Sequence, residues 1–236
     1  MQQLATHFQL FRAFLLGKKS LDARTSPQST VVFLCLLAVL CSGCAGGEDL
    51  RLPTYTPDES AKQALAEYDT NHDGFLDAKE LERCPALKNN LDTMDSDGNQ
   101  RLSAEEIAAR IQVYQESQVA LKAVACRVQL DGKPLQGASV TFVPEKFMGT
   151  SIRPASGVSD ERGGVQLMVE GEKYPGAQPG LYRVYVSKKN ASGQETIPAR
   201  YNQDTTLGAE VYPRKLRRSG TREDVAGDFR LTSKPK

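Results

Sequence analysis

The sequence predicts an α+β chain of several parts: a targeting segment, a small helical part and an all-β part. Three observations predict it. Two acid-rich stretches of twelve residues, Asp69–Glu80 and Asp95–Glu106, stand among helical apolar patterns. From about Leu121 the pattern changes to short strands punctuated by Gly and Pro. Charge divides at the same place: residues 58–116 carry six basic and fourteen acidic side chains, whereas residues 119–236 carry nineteen basic and twelve acidic, although the whole chain nets only +1. Such a split points to two modules with different partners. The expected division is 1-44 leader, 45-56 flexible tether, 57-118 helical part and 121-233 β part.

The leader reads as a secretory signal. Arg12, Lys18, Lys19 and Arg24 precede an uncharged apolar run, Val31–Cys41, and the small residues Ser42 and Gly43 lead to Cys44. Eleven apolar residues fall short of the roughly 18 to 20 that a spanning helix needs. The end of the segment resembles a bacterial lipobox, with Cys41 where Leu is usual, and the resemblance implies that Cys44 is diacylated and becomes the mature N-terminus. The chain is then expected in the cell envelope, membrane-anchored through lipid, on the periplasmic side or the cell surface. Of the remaining cysteines, Cys84 and Cys126 could pair in an exported chain or stay as two buried thiols. Residues 45–56 are small and Pro-containing, as a tether would be.

A helix is expected over Asp58–Tyr68, with Pro57 near its start, acids in its first turn and Ala61, Leu65 and Tyr68 on one face. It runs into Asp69–Glu80. Calcium, a hard cation, takes about six to eight oxygens, and a twelve-residue loop supplies them from positions 1, 3, 5, 7, 9 and 12. Here these are Asp69, Asn71, Asp73, the Phe75 carbonyl, Asp77 and Glu80, with Gly74 at position 6. The stretch matches the EF-hand pattern throughout. The second stretch offers Asp95, Asp97, Asn99, the Arg101 carbonyl, Ser103 and Glu106, and a helix with Ile107, Ile111 and Tyr114 on one face leaves it. Gln100 replaces the position-6 glycine, and Ser103 stands where the first loop has Asp77, so the second site is expected to be weaker. Leu76 and Leu102 hold position 8 of the two loops and can pair. Only fourteen residues, Pro85 among them, separate the loops, which favours a structural pair over a switch.

Beyond Leu121, Val124–Leu130 and Ala138–Val143 read as a hairpin about Asp131-Gly132. Further strands are expected at Gly157–Ser159, Gly164–Val169, Gly180–Ser187, Leu207–Val211 and Asp228–Leu231, the spacing of a β-sandwich of the immunoglobulin-like kind. The stretch from Val128 to Pro144 resembles the opening of the carboxypeptidase-regulatory-like, or transthyretin-like, domain of bacterial surface proteins. Arg153–Asp160, Pro179–Val186, Ile197–Asn202 and Asp228–Leu231 continue the resemblance in order. It implies a fold and no reaction.

The inventory disfavours an enzyme. The two histidines are His7, in the leader, and His72, at an outward position of the first loop, so neither a Ser-His-Asp arrangement nor a histidine zinc site can be assembled. Arg214, Lys215, Arg217, Arg218 and Arg222 form the densest basic cluster. Export and the lack of interleaved aromatics argue against nucleic acid, leaving anionic lipid, polysaccharide or an envelope protein as partners. The expected function is an exported, lipid-anchored, calcium-binding protein whose β-sandwich is a structural or adhesion module. The alternative is a ligand- or glycan-binding sandwich stabilised by calcium, which an aromatic concave surface would favour. Oligomeric state is left open.

Overall fold

The computed structural model describes residues 50–213 and 225–234. The leader, Cys44 and residues 45–49 of the tether lie outside the described residues, as does the basic cluster at 214–222. The described chain mixes helices and sheets within one compact unit. No helix among the described residues is long and apolar enough to cross a membrane.

Helix α1 is Pro57–Tyr68, which starts with proline, a residue with no amide hydrogen to leave unpaired, and carries Asp58 and Glu59 in its first turn. Strand β1 (Phe75–Leu76), helices α2 (Ala78–Leu81), α3 (Pro85–Lys88) and α4 (Leu91–Met94), and strand β2 (Leu102–Ser103) follow. Helix α5 (Ala104–Ser117) then buries Ile107, Ile111 and Tyr114 along one stripe. The one-turn helix α2 begins within the first loop, and only two further one-turn helices, α3 with Pro85 opening it and α4, stand between the loops.

The β part has two sheets. One runs β10 (Gly208–Val211), β9 (Gly180–Ser187), β5 (Ser139–Pro144), β6 (Ala155–Val158) and β8 (Met168–Val169), antiparallel throughout. In the other, β3 (Ala125–Leu130) lies parallel to β11 (Val225–Leu231) and antiparallel to β4 (Lys133–Pro134) and β7 (Gly164–Gln166). Their inner faces meet where the Phe142 and Phe229 rings approach edge-on at 6.0 Å. The expected hairpin differs. Asp131 and Gly132 do turn the chain, both at positive φ, but the returning strand is the two-residue β4. Pro134 offers no amide to extend the ladder, and after Gly137 the chain crosses to the other sheet as β5. The expected strand Gly164–Val169 likewise divides at fully buried Leu167, with β7 in one sheet and β8 in the other.

Helices and sheets share a single apolar core. Tyr68 on α1 meets Phe147 edge-on at 6.4 Å, and Tyr55, Tyr114 and Tyr212 form a contiguous aromatic row. The end of the tether is pinned: Tyr55 is buried and its hydroxyl donates to the Pro179 carbonyl at 2.8 Å. Helix α3 lies so close to β10 that a Cβ on Gly208 would stand 2.2 Å from the Pro85 carbonyl carbon. Asn89 Nδ2 donates to the Gly208 carbonyl across the same seam at 2.9 Å. Cys84 and Cys126 do not form the expected possible disulfide: both are buried free thiols, Cys84 just before α3 and Cys126 on β3. Burial pushes the Cys126 thiol up to about 12.

Candidate metal centre

Both acid-rich stretches form loops, and the two-residue strands β1 and β2 tie them together. Leu76 pairs with Leu102 in that ladder and both side chains are fully buried, as their shared loop position predicts. The next residues turn back into helices through capping boxes. Asp77 accepts from the Lys79 and Glu80 amides while Glu80 accepts from Asp77 N at 3.1 Å. Ser103 and Glu106 repeat the device at the start of α5. Positions 9 and 12 of each loop are thus bonded to each other at the start of the following helix.

The carboxylates are oriented by backbone amides. Asp69 accepts from His72 N at 2.6 Å and Gly74 N at 3.0 Å. Asp95 accepts from Gly98 N and Gln100 N at 2.8 and 2.7 Å. Asn71, Asp73, Asp97 and Asn99 each accept from the amide two residues on. Glu80 closes its loop by accepting from Thr70 N and Asn71 N at 2.7 and 3.2 Å, and Glu106 accepts from Ser96 N at 2.7 Å. Burial opposes ionisation of Glu80 and Glu106, but these amide donors outweigh it and hold both carboxyls below their usual range. The amides of Gln100 and Gly98 do the same for Asp95 against a desolvation effect. All three are therefore carboxylates at neutral pH, as a hard cation requires.

Asp95, Asp97 and Glu106 bring one oxygen each to within 4.8 Å of one another. Among the described residues the first loop gathers no such trio of acids, although it carries four: Asp69, Asp73, Asp77 and Glu80. The strain argument for a weaker second loop also changes. Positions 4 and 6 are left-handed in both loops, filled by His72 and Gly74 in the first and by Gly98 and Gln100 in the second. Each loop therefore holds one glycine and one non-glycine in that conformation, with the order exchanged. Beyond the ladder, the Arg101 side chain also reaches across between the loops: its guanidinium lies 4.1 Å over the Phe75 ring and 3.6 Å from Asp73 Oδ2. His72 points outward, as expected. The donor set is oxygen throughout, which fits calcium and disfavours zinc or copper.

Sequence reasoning misses the residues that fasten the loops to the sheets. Glu145, 1 % exposed, follows β5 and accepts from Arg183 Nε at 3.0 Å and from the Tyr68 hydroxyl at 3.3 Å. Arg183, on β9, also donates to the Tyr68 hydroxyl at 3.1 Å and to the Arg83 carbonyl at 2.5 Å. The Cys84 thiol sits against the same carboxyl, and burial raises the pKa of Glu145 despite Arg183. On the other side Arg110 of α5 forks onto Glu210 of β10 at 2.7 and 2.6 Å, and the Tyr114 hydroxyl donates to Glu210 at 2.5 Å. A lone Glu after a strand carries no sequence signal of its partner. Comparison of the chain with protein-family models, with curated proteins and with solved structures finds no match.

Proposed function

We propose that the chain is an exported, lipid-anchored calcium-binding protein in which an EF-hand pair and a transthyretin-like β-sandwich act together as a structural or adhesion module of the cell envelope. Two consecutive loops, tied through Leu76 and Leu102 and with amide-oriented carboxylates, carry this reading. Asp69, Asn71, Asp73, the Phe75 carbonyl, Asp77 and Glu80 would hold one ion, and Asp95, Asp97, Asn99, the Arg101 carbonyl, Ser103 and Glu106 the other. The role is binding rather than catalysis. A structural role for calcium is supported by the short helices between the loops and by the fastening of α1 and α5 to the sheets. The exposed large hydrophobic side chains of the described residues are Leu50, Leu52, Val158, Met168 and Tyr174, of which one is aromatic, so an aromatic ligand platform has little support.

Isothermal titration with calcium tests the loops: two sites are expected in the wild type, with the first lost in Asp69→Ala and the second in Asp95→Ala. Absence of binding would remove the reading. The anchor is tested separately. Cys44→Ser is expected to release the protein from membranes and to abolish labelling by a fatty-acid analogue.

A further inference from the structure

The two polar clusters between helices and sheets stand at the bases of the two loops. Tyr68 immediately precedes Asp69, and Arg83 lies three residues after Glu80, its amide bonded to the Glu80 carbonyl at 3.1 Å. Arg183 touches both, through the Tyr68 hydroxyl and the Arg83 carbonyl, so one strand-borne guanidinium bridges the segments that enter and leave the first loop. Glu145 orients it from the residue that follows β5, where the Glu145 amide is itself fixed to the Leu181 carbonyl at 3.0 Å. The second loop repeats the arrangement with different residues. Arg110, four residues after Glu106, reaches Thr93 Oγ1, two residues before Asp95, at 3.4 Å and is held by Glu210 of β10. The side chains of Glu145 and Glu210 are 1 % and 7 % exposed, so water does not substitute for either pairing.

We infer that Glu145–Arg183 and Glu210–Arg110 are positioning pairs, through which the β-sheets set the calcium affinity of the first and the second loop respectively. This rests on the two loops binding calcium. A twelve-residue loop presents its first and last ligands at the right separation only if its two ends are held together. Here the β part supplies that constraint, and the coupling is reciprocal: calcium that favours the closed loop base must equally favour docking of the sheets against it. Arg183 acts as a fork with three simultaneous acceptors, a geometry that a lysine ammonium at the end of a flexible stem does not reproduce.

The test is isothermal titration of the full-length protein with calcium chloride. Arg183→Lys and the milder Tyr68→Phe, which removes one hydroxyl, are expected to weaken the first site about tenfold and fivefold and leave the second unchanged. Glu210→Gln is expected to do the reverse. Hydrogen exchange of the wild type is expected to show greater protection of β9 and β10 amides with calcium than with chelator. A general loss of structure would lower both sites together, so equal losses at the two sites, or no loss in Tyr68→Phe, would overturn the inference. A wild type that titrates at two sites while the variants match it refutes the positioning role alone. A wild type that takes up no calcium refutes the loop reading itself.

Discussion

His72 and Gln100 adopt the same left-handed backbone at φ 60° and 62°, at positions 4 and 6 of successive loops. A side chain in that region costs roughly 1 kcal/mol relative to glycine. His72→Gly and Gln100→Gly are therefore expected to stabilise the protein in calcium by similar amounts, up to about 1 kcal/mol each, measured by thermal melting. A gain from Gln100→Gly alone would restore the unequal strain that position 6 suggests by itself. Protonation acts at the same scale. Glu80, Asp95 and Glu106 have pKa values below those of free carboxyls, so the native loops bind fewer protons than the unfolded chain. Their contribution is present above about pH 4 and lost as pH falls through their depressed values. Glu145 runs oppositely, since its raised pKa favours the native state when it is protonated and that contribution fades as pH rises through the raised value. Melting in chelator from about pH 6 to about pH 3 is expected to show net loss of stability toward acid.

At the level of elements, the seam between α3 and β10 depends on a missing side chain. A Cβ at residue 208 would meet the Pro85 carbonyl carbon at 2.2 Å and Ala86 N at 2.3 Å, both backbone atoms that cannot rotate away. Gly208→Ala must therefore push the two elements apart. It is expected to destabilise by about 2 kcal/mol or more, read as a lower denaturant midpoint, and to strain the Asn89–Gly208 hydrogen bond at the same seam. Gly74→Ala tests the opposite circumstance: open space surrounds that position, but φ is 84°. Its cost is local, about 1 kcal/mol, and is expected to fall on the proposed calcium site of the first loop. An unchanged midpoint in Gly208→Ala would show that α3 is free to shift.

For the whole molecule, the shared core changes what chelation should do. Charge composition alone leads to the expectation that the acidic helical part melts in EDTA while the strands persist. The buried residues instead run continuously from Tyr55 and Leu87 to Val211 and Leu231, and the helices and sheets fall in one compact unit. Calcium at a hundredfold excess over Kd adds about 2.7 kcal/mol per site to a folded state that alone binds it. For a domain of this size that corresponds to a melting shift of about 5 to 10 °C. We expect helix and strand signals to fall together in one transition, earlier in EDTA than in calcium. Two separated transitions would mean that the helical part is an independent domain.

What the sequence determines by itself is local. Twelve-residue spacing and the equivalent Leu76 and Leu102 follow from residue types that act within a few positions of one another, so the two loops and their pairing are legible in order. Strand Gly180–Ser187 is legible for the same reason: its alternation and flanking signals lie within it. Tertiary structure decides what lies far apart in the chain. Whether Asp131-Gly132 returns the chain into β4 or β5, and how Gly164–Val169 divides between sheets, depends on which partner edge is nearby. Glu145 meets Tyr68 across 77 residues, and Arg110 meets Glu210 across 100. A buried charge identifies its partner only when packing has removed water from both, and no sequence pattern encodes that event.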